Sequence, residues 1–195
     1  MYSNLKSHIK TYNLFIIVVI LLITIPFVSV SQNKTIEYKV KSAYLVKICK
    51  VTTWKNESYK KNKTFKIYTI GEHTKAETIS IKNNISVKGR SIKIIHIDSL
   101  NDVENLDLID VLYIYKISKH ELKNILDKTK DRDILTVSDN DGFGELGVII
   151  NFFINNNNKI NFEINRDAEL KSKIKLKSQL YNFSGSKIIG NNYNL

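Results

Sequence analysis

Ile134-Leu135-Thr136-Val137-Ser138-Asp139, then a loop bracketed by Gly142-Phe143 and Gly147, then Val148-Ile149-Ile150-Asn151-Phe152, is the stretch on which the fold of this chain turns. Ile134 to Val137 is short and rich in β-branched residues, which fits a buried strand. The loop Gly142-Phe143-Gly144-Glu145-Leu146-Gly147 spells G-x-G-x-x-G, the dinucleotide fingerprint. That motif works only when its glycines open a helix whose N-terminal amides receive the pyrophosphate. Here Gly147 leads into Val148-Ile149-Ile150, the start of a strand, so the glycines are expected to supply positive φ angles in a tight loop between two strands. Asp139, Asp141 and Glu145 make the loop acidic. With Gly142 as the invariant glycine of a calcium loop, however, the first and last acids would fall on Val137 and Val148, so solvated carboxylates near lysines are the reading.

Downstream, Val148 to Ile154 and Lys159 to Ile164 flank Asn155-Asn156-Asn157-Asn158, a turn-rich linker of hairpin length. Upstream, the strand-like runs Phe65 to Ile70, Ile92 to Ile97 and Leu108 to Tyr115 alternate with helical stretches at His73 to Ile81, Ser99 to Leu106 and Ser118 to Thr129. Ser118 and Glu121 form a capping box there, with Leu122, Ile125 and Leu126 as the buried face. Strands alternating with helices imply a parallel sheet. Ile36, Val40, Ala43, Tyr44, Ile48 and Val51 recur at helical spacing, so the body opens with an amphipathic helix laid on that sheet. The expected fold is α/β: a single compact domain with a mixed, mostly parallel sheet flanked by helices. An antiparallel C-terminal hairpin and one or two closing helices from Arg166 onward complete it.

The first 31 residues read as an export leader. Lys6 and Lys10 precede an apolar run from Leu14 to Val28, and Ser29-Val30-Ser31 offers small residues for cleavage between Ser31 and Gln32. The alternative is an uncleaved anchor helix, but Thr24 and Pro26 interrupt the run. The division is then 1–31 signal peptide, 32–190 α/β domain and 191–195 frayed tail, with a periplasmic destination. The formal net charge of +11 falls by two when Lys6 and Lys10 leave. Nucleic acid is not the expected partner: Arg90, Arg132 and Arg166 are the only arginines, and phosphate and base recognition favours their planar fork. The excess lysine suits an acidic partner or an anionic membrane surface. Five Asn-x-Ser/Thr triplets, at Asn33, Asn56, Asn62, Asn84 and Asn182, follow from the abundance of asparagine.

Chemistry for bond making is missing from the motifs. Cys49 is the single cysteine and can form no internal disulfide; it reads as a buried core residue, with an intermolecular disulfide in a homodimer as the alternative. His73, His96 and His120 are well separated in sequence, no metal-binding cluster is spelled out, and no G-x-S-x-G elbow occurs. The expectation is a protein that is not an enzyme and has no cofactor and no metal. Trp54 is suited either to anchoring a partner or to the core.

Read together, Ile134 to Asp139, Gly142-Phe143, Gly147 to Phe152, Phe162-Glu163-Ile164-Asn165 and Leu176-Lys177-Ser178-Gln179-Leu180 closely resemble the C-terminal half of the YfiR-like family. Its members are small exported bacterial proteins that regulate membrane-embedded signalling enzymes. Val40-Lys41-Ser42-Ala43-Tyr44-Leu45, followed by Lys50 and Trp54, is similar to the family's opening helix. The chain departs where members commonly place Pro after the Trp, since Lys55 stands there, and where they often carry several cysteines. The resemblance covers roughly residues 36 to 189. It implies a protein that represses a membrane-bound diguanylate cyclase, in cyclic di-GMP and biofilm signalling, or a sensor histidine kinase, by docking on its extracytoplasmic domain. Membrane association is then indirect. Candidate partner-binding residues are Trp54, Asp139, Phe143, Asn151, Glu163, Asn165 and Gln179. A periplasmic solute binder using the crevice around Gly71, Asp98 and Ser138 is the alternative.

Overall fold

The computed structural model of the chain describes residues 32–55, 64–82 and 84–190. The expected leader, most of the Lys/Asn-rich loop from Lys55 to Lys63 and the expected tail lie outside the described residues.

A helix over residues 32–50 (α1) runs into a short strand, β1 (Thr52–Trp54). The body of the protein is an eight-stranded sheet of β2 (Thr64–Ile70), β3 (Ser86–Val87), β4 (Arg90–Ile97), β5 (Val111–Ile114), β6 (Leu135–Ser138), β7 (Ile150–Ile154), β8 (Ile160–Asn165) and β10 (Lys187–Ile189). Its order is β10-β8-β7-β6-β5-β2-β4-β3. The strands β4, β2, β5, β6 and β7 run parallel, β8 returns antiparallel to β7, and the edges are a parallel β10 and an antiparallel β3. The remaining elements are α2 (Lys119–Thr129), α3 (Arg166–Lys171), β9 (Ile174–Leu176) and α4 (Ser178–Tyr181), and β9 pairs antiparallel with β1. The fold class is the expected one: mixed α/β, mostly parallel, with a C-terminal hairpin.

Alternation along each strand splits the core in two. Phe65, Ile67, Val111, Tyr113, Leu135, Val137, Ile150 and Phe152 face α1 and the β1–β9 ribbon. Tyr68, Ile70, Leu112 and Ile114 face α2 through its buried Leu122 and Ile125, with Phe143 and Val148 in the same cluster. The α2 start is the expected capping box: Ser118 Oγ accepts from the Glu121 amide at 3.2 Å, and the Glu121 carboxylate accepts from the Ser118 amide at 2.9 Å. At the amino edge of the parallel strands, Arg90 grips both oxygens of the buried Asp110 at 2.9 and 2.8 Å, tying β4 to the lead-in of β5.

Several expectations need correction. His73 to Ile81 is not a helix: Thr74 and Glu77 start one turn, but Thr78 is already extended at φ −99° and ψ 130°. Tertiary bonds explain the early stop, since the Ile79 amide donates to the Tyr115 hydroxyl at 2.8 Å and the Ser80 amide to Ser42 Oγ at 3.0 Å. Ser99 to Leu106 is two 3-10 turns, Leu100–Asp102 capped by Ser99 and Leu106–Leu108 capped by Asn105. Of the crossovers between parallel neighbours, only those from β5 to β6 and from β8 to β10 contain an α-helix. Trp54 belongs to a strand rather than a helix end; the closing helices from Arg166 onward are present as α3 and α4, with two short unexpected strands, β9 and β10, among them. The apolar stripe of α1 also departs from expectation. Ile48 is buried, but Ile36 and Val40 are 59% and 38% exposed and Ala43 faces solvent; Tyr38, Lys41, Ser42 and Leu45 turn inward instead.

Candidate functional site

The glycine loop after β6 is built from below. Ser138 Oγ donates to the Ile114 carbonyl at 2.7 Å and accepts from the Asn140 amide at 3.3 Å, which fixes the exit of β6. Gly142 and Gly147 take φ values of +74° and +114°, the role expected of them. Gly144 serves otherwise: a Cβ there would come within 2.6 Å of Glu163 Oε2 and 3.2 Å of the Asn151 Cβ. The loop lies that close to β7 and β8 because two asparagines hold it. Asn151 Nδ2 donates to the Asn140 carbonyl at 3.0 Å, and Asn165 Nδ2 to the Gly144 carbonyl at 2.7 Å, while Asn165 Oδ1 caps α3 by accepting from the Ala168 amide at 2.8 Å. Asn151 and Glu163 are register partners across the hairpin. Phe143 drops from the loop into the α2-facing core and is 5% exposed.

On the other face, Asp139 meets α1. Lys41 Nζ donates to Asp139 Oδ2 at 2.5 Å, the Tyr38 hydroxyl donates to the same oxygen, and Lys41 also reaches Glu37 at 2.5 Å. The ammonium sits 4.4 Å from the centre of the Tyr38 ring. Asp139 is thus a buried charge in a network, not the solvated loop carboxylate expected. Burial first, and the Asp139 carboxylate second, push the Tyr38 hydroxyl well up from its ordinary range. Tyr113, wholly buried beside it, is raised for the same two reasons, and its hydroxyl has no hydrogen-bond partner among the described residues. Burial likewise takes Tyr115 to about 12, although the bond from the Ile79 amide opposes it.

The polar row continues along the carboxyl ends of the strands. His73 stacks on Tyr115 at 4.2 Å between ring centres and meets His96 edge-on at 4.9 Å, so two histidines far apart in sequence are neighbours here. Among the described residues no group of three or more His, Cys, Asp or Glu side chains is placed to hold a metal ion. Glu77, buried nearby, would be raised by desolvation alone; the Thr74 amide and Lys116 outweigh that and hold its carboxyl below the ordinary value. Beside the row, a cleft of about 780 Å³ opens over the ends of β2 and β4 and the start of α2, with Gly71, His96, Asp98, Lys116, Ser118 and Lys128 on its walls. Gly71 and Asp98 were expected in such a crevice. Ser138 is buried beneath the loop and outside it.

Five of the seven candidate residues, Asp139, Phe143, Asn151, Glu163 and Asn165, gather around the loop. Trp54 and Gln179 do not. Trp54 lies at the opposite edge, 2% exposed, with its indole N–H donating to the Asp110 carbonyl at 3.0 Å and its ring edge-on to Phe65 at 5.4 Å. Of its two expected uses, the core is the one this fold realises. Gln179 is exposed on α4. Cys49 is fully buried and its thiol is pushed up by burial, so the intermolecular disulfide has no accessible sulfur. The sequence reading missed Tyr38 and Lys41. Their signal was the alternative stripe Tyr38, Lys41, Leu45, Ile48, which is equally helical but carries a charge.

These residues define a class: an α/β scaffold whose marked polar side chains are spent on holding one loop and one helix in register. The YfiR/HmsC-like family model matches residues 38–184, and the chain belongs to that family. Proteins of this family are regulators of signalling in bacteria. A search of curated proteins finds no match to the chain. No described helix is long and apolar enough to cross a membrane.

Proposed function

We propose that the chain is an exported regulator that docks on the extracytoplasmic sensor region of a membrane-bound signalling enzyme, a diguanylate cyclase or a sensor histidine kinase, and holds it inactive. The observation that carries this is the family match over most of the described body. In this reading the internal bonds of Asp139, Asn151 and Asn165 hold the glycine loop in place against α1 and the hairpin. A regulator of this kind acts by preferring one sensor conformation. About 5.5 kcal/mol of preference takes a mostly active population to a mostly inactive one. The test is to delete the gene and to recover the tagged full-length chain from solubilised native membranes. A rise in cyclic di-GMP, or in phosphorylation by one kinase, together with co-purification of that enzyme, is the expected result; neither change and no such enzyme would overturn the proposal.

A second reading has its own observation, the cleft of about 780 Å³ at the carboxyl ends of the parallel strands, where open α/β sheets bind small molecules. Solute binding there is compatible with regulation. A saturable thermal shift from one metabolite, abolished by Asp98→Ala, is its signature.

A further inference from the structure

The first half of α1 is inside out. Lys41 and Tyr38 are buried at 4% and 5% exposure, while Ile36 and Val40 stand at 59% and 38% and Ala43 lies outside with them. The last three recur at the spacing of one helical face, so they form a continuous outer stripe. The bonds from Lys41 and Tyr38 to Asp139 fix this register, and turning the apolar stripe inward would break them. Lys47 and Lys50 continue the stripe and Lys39 flanks it, all three exposed.

Resting on the regulatory reading above, we propose that this stripe is the docking face, and that its occupant is an amphipathic helix of the signalling protein's extracytoplasmic region. That helix would have an apolar row to cover Ile36, Val40 and Ala43 and acidic residues to meet the lysines. Charge complementarity selects this occupant. A second copy packed parallel would set Lys39, Lys47 and Lys50 against their own equivalents, and one packed antiparallel would lay Lys47 and Lys50 over Val40 and Ile36 with no acid to meet them. An anionic bilayer would be met by only two large apolar side chains and no aromatic on the stripe, whereas helices that lie in a membrane surface carry Trp, Phe or Leu there.

The test uses the full-length chain in its own cells, with a photo-crosslinking phenylalanine placed singly at Ile36, Val40, Leu170 or Gln179. Leu170 and Gln179 are exposed on α3 and α4 and serve as reference sites. The expected result is adducts from positions 36 and 40, mapped by mass spectrometry to an acid-flanked helix of one extracytoplasmic sensor. Lys47→Glu with Lys50→Glu should then lower their yield by about tenfold or more, with the thermal midpoint unchanged. Sensor adducts from 170 or 179 but none from 36 or 40 overturn this face and leave the regulatory reading standing. Adducts to the chain itself, or to phospholipid alone, also overturn it in favour of a second copy or a membrane surface. No sensor adduct from any of the four sites overturns the regulatory reading as well.

Discussion

Lys41 and Asp139 are 98 residues apart in the chain and 2.5 Å apart in space, with 4% and 6% of their side chains exposed. Two charges taken out of water cost more to desolvate than a surface pair and return the cost only when well bonded. Here the carboxylate is met by an ammonium and a phenol, and what the arrangement fixes is the rotation of α1 on the sheet.

Lys41→Met leaves Asp139 buried with only Tyr38 for company. The expected loss is about 3–5 kcal/mol, read as a lower midpoint of urea unfolding at unchanged slope. Lys41→Met combined with Asp139→Leu should recover much of it, because an apolar pair needs no compensation; equal losses in the single and double variants would show that the pair does not act as a unit.

Tyr113→Phe should be neutral or stabilising, by up to about 1 kcal/mol, because it removes a buried hydroxyl that has no hydrogen-bond partner among the described residues. The same three tyrosines predict an alkaline limb. Tyr38, Tyr113 and Tyr115 are raised in the folded state, so the unfolded chain loses its phenolic protons first. Their contribution is complete below pH 10 and declines as pH rises above it, the Tyr115 share ending at about 12 and those of Tyr38 and Tyr113, raised further, persisting beyond it. The check is the part of the phenolate absorbance due to these three of the ten tyrosines, which should appear only as the chain unfolds.

Glu77 sets an acid limb of the opposite sign. Its carboxyl is depressed below the ordinary 4.5, so its contribution is present above that pH and is lost as pH falls below it. Glu77→Gln should flatten the stability profile in that window while leaving the neutral-pH value lower by about 1 kcal/mol.

Asn165→Ala removes the bond to the Gly144 carbonyl and the cap of α3 together. A loss of about 2 kcal/mol is expected from two such bonds. Hydrogen exchange should show Leu146 and Gly147 exchanging faster than in the parent, with α2 unchanged; no local change would mean that the loop is held by its own turns.

Trp54 is the only tryptophan and lies 2% exposed. Its fluorescence should report global unfolding and stay unchanged when a partner docks. Trp54→Ala should cost about 3–5 kcal/mol.

Much of this was legible in the chain itself. The loop glycines and the α2 capping box announce themselves because they encode local geometry: Gly142 and Gly147 need positive φ, and Ser118 and Glu121 satisfy each other three residues apart. The hairpin was legible from four consecutive asparagines between two apolar runs. What failed depends on distant residues. The segment after Glu77 abandons the helix for bonds to Tyr115 and Ser42. The α1 stripe was drawn on the wrong side because apolarity alone chooses Ile36 and Val40, and only the location of Asp139 explains why Lys41 goes inside. β1 and β9 are too short to signal themselves without each other.

That last pairing constrains when the protein can finish folding. Thr52 finds its ladder partner only at Leu176, so the cover over half the core cannot close until nearly the whole polypeptide is available. Contacts so remote along the chain make for slow folding. Under the export proposed above, such a delay keeps the nascent chain threadable through a translocation pore and lets the N-terminal third wait, unlatched, for its C-terminal buckle on the far side.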